Sequence, residues 1–121
     1  MYHIYLLPLL AFLSYTHVAL AAVVTFNWKF SWVTASPDGF PRPVVAVNGQ
    51  FPPPTVNVTL GDQVVINAVN NLGNSSMTLH FHGIYQNGTN TEDGPFQVTQ
   101  CGIPPGQSLT YSFPVSRFRI Y

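Results

Sequence analysis

The chain reads as an all-β protein, an antiparallel sandwich or Greek-key barrel, on three observations. Short runs of alternating apolar and polar residues recur at roughly 8–12-residue spacing. Clusters of Gly, Pro, Asn and Asp separate those runs, and no helical periodicity follows Ala22.

Val24 to Trp32 alternates with the period of a half-buried strand and predicts a core face of Phe26, Trp28, Phe30 and Trp32. Ser36-Pro37-Asp38-Gly39 is a turn, and Pro43 to Val47 a second strand ending at the turn Asn48-Gly49. Phe51-Pro52-Pro53-Pro54 is a surface connector, because proline cannot donate to a central ladder. Val56 to Leu60 predicts a short strand, closed by Gly61-Asp62. Gln63 to Val69 predicts another, with Val64, Ile66 and Ala68 on one face. Asn70 to Ser76 is a polar loop, Met77 to His82 a strand, and Gly83 to Gln100 a long excursion. After the turn Pro104-Pro105-Gly106, Ser108 to Val115 predicts the last strand, with Leu109, Tyr111 and Phe113 inward.

Composition narrows the function classes. With 46% hydrophobic and 7% charged residues, the chain is too apolar for disorder. Four basic against four acidic residues leave no footprint for nucleic acid and no polybasic membrane patch. The apolar stretch Ile4 to Ala22, broken by Pro8, Ser14 and His17, falls short of a clean membrane span. Ala19-Leu20-Ala21 offers the small residues of a signal-peptidase site, although Met1-Tyr2-His3 lacks the usual positive charge. Residues 1–21 are therefore expected to be a signal peptide and the protein to be secreted, with about 100 residues left for one sandwich domain. Three glycosylation acceptors, Asn57, Asn74 and Asn87, each open an Asn-x-Ser/Thr triplet and fit that route.

Cys101 is the one cysteine. An odd thiol in an oxidising compartment points to a partner on another segment or another chain, or to a reactive site, although a buried free thiol is the plainer alternative.

The chemistry-bearing pair is His80 and His82, since His3 and His17 lie in the predicted leader. On a strand the two share a face, with Cα atoms about 6.5–7 Å apart. They can chelate one ion or serve two neighbouring ions, and imidazole suits copper, zinc, iron and nickel alike. Two ligands do not complete a site, and a His-x-His pair can also be purely structural. Asp93-Gly94 reads as a turn, Glu92 as a solvated loop residue, and no glycine arrangement cradles a phosphate.

The ordered set of motifs goes further than the pair alone. His80-Phe81-His82-Gly83-Ile84-Tyr85-Gln86-Asn87-Gly88-Thr89, Asp93-Gly94, Thr99-Gln100-Cys101 and Ile103-Pro104-Pro105-Gly106 resemble the first copper-binding region of the multicopper oxidases. Thr25-Phe26-Asn27-Trp28, Arg42-Pro43-Val44 and Val47-Asn48-Gly49-Gln50-Phe51-Pro52 resemble the start of the same domain. Phe81 with Gln86 to Thr89 is most similar to fungal iron-transport ferroxidases, then to laccases and ascorbate oxidases. The resemblance covers Val24 to Phe113. It implies a cupredoxin-like Greek-key β-sandwich over residues 22–116, the plastocyanin-like first domain of such an oxidase, followed by a divergent tail, 117–121.

The resemblance also implies roles. His80 would bind the type 2 copper and His82 a type 3 copper of a trinuclear cluster. Asp93 would assist proton delivery during reduction of O₂ to water, and Cys101 would pair with a later domain. Family members continue past the position of Phe113 into a strand with a second His-x-His, and later domains carry the Cys-His-His type 1 copper. Here Pro114 to Tyr121 shows neither. The expectation is a C-terminally incomplete domain, inert alone, whose partners are the downstream domains of the same oxidase and, in the whole enzyme, ferrous iron or a phenol. The alternative is a stand-alone secreted copper-binding or structural module without catalysis.

Overall fold

Alternation in the sequence becomes one mixed four-stranded sheet in the computed structural model, which describes residues 21–116. All but the last residue of the expected signal peptide, and the whole of the tail 117–121, lie outside the described residues. The strands are β1 (Val23–Ala35), β2 (Arg42–Val47), β3 (Gln63–Asn70) and β4 (Ser108–Pro114), in the spatial order β2-β1-β3-β4.

β1 is long enough to serve two partners. Its first part runs parallel to β3, from Val23↔Gln63 to Phe30↔Asn70. Its second part runs antiparallel to β2, from Phe30↔Val47 to Ala35↔Arg42. β4 closes antiparallel on β3, with Val64↔Phe113 and Ile66↔Tyr111. The parallel β1–β3 pair departs from a purely antiparallel arrangement. Parallel neighbours need a crossover of roughly a dozen residues or more, and residues 36–62, comprising β2 and the proline-bearing segment after it, supply it.

One face of the sheet is the core. Val64, Ile66 and Ala68 from β3 meet Tyr111 and Phe113 from β4, with Phe30, Ile103 and Val115 around them. Phe26 and Trp28 pack against this cluster half-buried, their rings 5.8 Å apart. Each fully buried large apolar side chain contributes roughly 1.5–3 kcal/mol. The opposite face is polar. Asn67 donates to Asn27 Oδ1, Thr110 donates to Asn67 Oδ1, and Gln63 donates to Ser112 Oγ.

Irregular chain covers the core: Val58, Met77, Leu79, Phe81 and Ile84 all pack against it. Two expected strands are absent there. Val56 to Leu60 forms no ladder, and Met77 to His82 keeps only the bridge Met77↔Ile103. Alternation by itself does not make a strand, which needs a neighbouring backbone, and among the described residues none runs alongside either segment. Two further expectations fail at the ends of elements. Trp32 is 44% exposed, because β1 leaves β3 at Phe30 and the indole reaches only the loop below, donating to Asn74 Oδ1 at 3.1 Å. Leu109 is 39% exposed at the start of β4, where it faces the small Ala68.

Two polar residues tie the element ends together. Asn70 is fully buried; its Nδ2 donates to the carbonyls of Ser75 (2.8 Å) and Ile103 (2.7 Å), and its Oδ1 accepts from Leu72 N–H at 2.9 Å. Asp62 accepts the N–H groups of Ala22 (3.0 Å) and Thr59 (2.8 Å). Those bonds hold its carboxyl below the ordinary carboxylate value, against the opposing effect of burial.

Candidate metal centre

The segment Leu79–Gly83 crosses one end of the core with its side chains still alternating. Leu79 and Phe81 turn inward, and the Phe81 ring lies 5.4 Å from Tyr111 and 4.5 Å from Phe113. His80 and His82 therefore both project outward and are exposed. Their rings stand nearly perpendicular, at 86°, with centroids 5.7 Å apart. The shared face expected from the sequence is present, without the strand expected to create it.

Past His82 the chain curls back through consecutive turns. Ile84 N–H donates to the Phe81 carbonyl (3.2 Å), Thr89 N–H to that of Gln86 (3.0 Å) and Glu92 N–H to that of Thr89 (2.8 Å). A single 3-10 turn, Asn90–Glu92, delivers Asp93 beside His80. The Asp93 backbone carbonyl then lies 2.7 Å from His80 Nδ1, while its carboxylate Oδ1 stands farther off, at 3.5 Å. The carbonyl is the hydrogen-bond partner. Since it can only accept, Nδ1 carries the proton, and the Nε2 lone pair is left for a metal.

Gly94 makes this approach possible. It has φ +90°, and a Cβ added there would overlap the Leu79 carbonyl. Only glycine lets the returning chain lie so close to the backbone it embraces. On the inner side of the two histidines an open groove of about 360 Å³ is lined by Trp28, Ile66, Leu79, Phe81 and Phe113, with both imidazoles at its rim.

Among the described residues, no cluster of three or more His, Cys, Asp or Glu side chains surrounds a common point. Two imidazoles with a free Nε2 at His80 fit copper ligation as far as they go, and further ligands must come from elsewhere. Asp93 lies beside His80. Cys101 stands apart from the pair and is exposed, so a buried thiol does not explain it. Asn57, Asn74 and Asn87 are all exposed. Glu92 was read as a solvated loop residue; instead its Oε2 accepts the Ser112 N–H at 2.9 Å. No local pattern announces that bond, because the partners lie 20 residues apart.

Comparison with known proteins decides the family. The sequence pattern described as multicopper oxidase matches residues 29–119. This chain belongs to the multicopper oxidases. It is 55% identical over 103 residues to the iron transport multicopper oxidase fetC of Epichloe festucae, covering 83% of this chain and 17% of that protein. The crystal structure of Fet3p, a multicopper oxidase that functions in iron import, matches with a TM-score of 0.74 at 45% identity, over 77% of this chain and 18% of that one. The laccase from Botrytis aclada matches with a TM-score of 0.75 at 37% identity, over 78% and 18%.

The chain thus spans less than a fifth of the length of each relative. These likenesses make the fold cupredoxin-like, as the motifs implied, and copper the cofactor of the multicopper oxidase family. Among the described residues, no helix is long and apolar enough to cross a membrane.

Proposed function

We propose that this chain is the plastocyanin-like first domain, residues 22–116, of a secreted oxidase of the ferroxidase or laccase type. In that role it contributes His80 to a type 2 copper and His82 to a type 3 copper of a trinuclear cluster. The observation that carries the reading is the 2.7 Å bond from His80 Nδ1 to the Asp93 carbonyl, which frees Nε2 beside the His82 ring.

Copper, when bound, supplies the one-electron redox chemistry by which four electrons from substrate reduce O₂ to water. The residues of this chain do the rest of the local work. The Asp93 carbonyl fixes the His80 tautomer, and a ligand so held loses little freedom on binding. The Asp93 carboxylate relays protons toward the reacting oxygen; its partial exposure and its 3.5 Å distance from His80 support that role. Leu79 and Phe81 anchor the histidine backbone in the core.

The remaining copper ligands and the type 1 centre belong to segments outside these residues, with which Cys101 forms its disulfide. The substrate of the whole enzyme is ferrous iron or a phenol; the iron-transport names among the relatives support the first. The signal peptide 1–21 and glycans at Asn57, Asn74 and Asn87 complete a secreted glycoprotein. A stand-alone structural module has less support, because its relatives are far longer oxidases.

Copper(II) titration of the 121-residue chain tests the ligand assignment. The imidazole NMR signals of His80 and His82 should broaden together, and nitrogen hyperfine structure should appear in the EPR spectrum. Alanine at either histidine should remove one nitrogen from that pattern. Copper that binds while sparing both rings would sink the assignment. Copper-dependent oxygen uptake by this chain alone, with ferrous iron or a phenol, would sink the need for further domains.

A further inference from the structure

His80 and Asp93 lie 13 residues apart, and the backbone bond that joins their segments, from Phe81 N–H to the Asp93 carbonyl, is long at 3.4 Å, so other contacts must fix that carbonyl against His80. The residue before each is tied to β4. Leu79 N–H donates to the Tyr111 hydroxyl at 3.2 Å, and the Glu92 carboxylate accepts the Ser112 N–H at 2.9 Å. Tyr111 and Ser112 are consecutive. One strand therefore serves as the common reference for both sides of the metal-facing pair.

The direction of the Ser112 N–H explains why Glu92 can reach it. β4 bonds β3 on one side, and Gln107 and Val115, which flank it, direct their carbonyls to Asn70 and Gly61. By alternation Ser108, Thr110 and Ser112 turn their N–H groups to the opposite edge, where among the described residues no strand pairs. A carboxylate accepting a backbone N–H makes a charge-assisted bond, stronger than a neutral one.

We infer that Glu92 is a positioning residue for the metal centre: by gripping the free-edge N–H of Ser112, it sets the Asp93 carbonyl against His80 and so selects the His80 tautomer. The grip acts through one peptide unit. Release at Ser112 lets the 3-10 turn drift, the Asp93 carbonyl leaves Nδ1, and His80 reverts to the Nε2–H form that free neutral imidazole prefers. Its metal-facing nitrogen is then blocked. The inference builds on the reading of His80 as a ligand, but its test does not depend on copper.

The test uses the full 121-residue chain, ¹⁵N-labelled, without metal and in alkaline buffer. Long-range ¹H–¹⁵N spectra report the tautomer of each histidine. The expected wild-type pattern at His80 is a protonated Nδ1 and a bare Nε2. Glu92→Ala should lose that pattern, and Glu92→Gln, whose side-chain carbonyl still accepts, should keep it. Ser112→Pro removes the donor at an edge position that tolerates proline; it should reproduce Glu92→Ala and breaks the same bond should that variant fail to fold. His82 serves as the internal reference and should not change. Retention of the Nδ1–H pattern in Glu92→Ala or Ser112→Pro overturns the inference, as does a Glu92→Gln that behaves like alanine. Failure of the copper assignment would show separately, as a wild-type titration that spares both rings.

Discussion

The sheet and the excursion from Met77 to Cys101 are held by different physics. In β1, β3 and β4 each residue repeats the same backbone bonds, and every second side chain adds to one continuous apolar face. In the excursion, single contacts carry the geometry: the Met77–Ile103 bridge, the Tyr111 hydroxyl on Leu79, the Asp93 carbonyl on His80, Gly94 against the Leu79 carbonyl. Structure held by single contacts can lose its site and keep its fold.

That contrast can be tested by removing one contact from each region. The largest effect is expected at Asn70, the end of β3, where one side chain satisfies two carbonyls and one N–H. Asn70→Ala leaves those buried groups unpaired and should cost about 3 kcal/mol by urea unfolding. A loss well under 1 kcal/mol would mean that the sheet does not depend on this junction.

Gly94→Ala addresses the other region. The new Cβ meets the Leu79 carbonyl, and φ +90° disfavours any side chain, so about 2 kcal/mol of strain is expected. The sharper readout is at the site. The Asp93 carbonyl should withdraw from His80, and copper(II) affinity should fall about tenfold, while the amide spectrum of β3 and β4 is preserved. Unchanged copper affinity would show that the pocket adapts, and the contrast between the regions would lose its force.

The smallest effect is expected at Asp62, and it fades in acid. Asp62 joins the start of β1 to the loop before β3, and its folded-state pKa lies below the ordinary 3.8. A depressed value contributes stability that is complete above 3.8 and is lost as pH falls through the folded value. Asp62→Asn, whose amide oxygen replaces only one of the two acceptor atoms, should therefore lower the unfolding free energy near neutrality and flatten its decline in acid, so that the two proteins converge as pH falls. Identical acid slopes for the two proteins would remove Asp62 from the account.

Much of the sheet was legible because period-two patterning is a local property. Val64, Ile66 and Ala68, and Tyr111 and Phe113, face inward as their alternation demands. The same logic failed where the partner strand ends, at Trp32 and Leu109, and where no partner runs, at Val56 to Leu60 and Met77 to His82. Patterning states which side chains share a face. It does not state whether another backbone lies alongside.

The site divides in the same way. That His80 and His82 point to one side followed from their spacing, and the ordered motifs around them carried the family. That Asp93 presents its carbonyl rather than its carboxylate to His80, and that Glu92 reaches across to Ser112, could not be read from the chain. By itself the sequence determined which side chains share a face, the paired imidazoles and the kinship with copper oxidases, since each is written in neighbouring residues. Only the tertiary structure decided which nitrogen of His80 is free, because that choice rests on hydrogen bonds between segments that meet through folding alone.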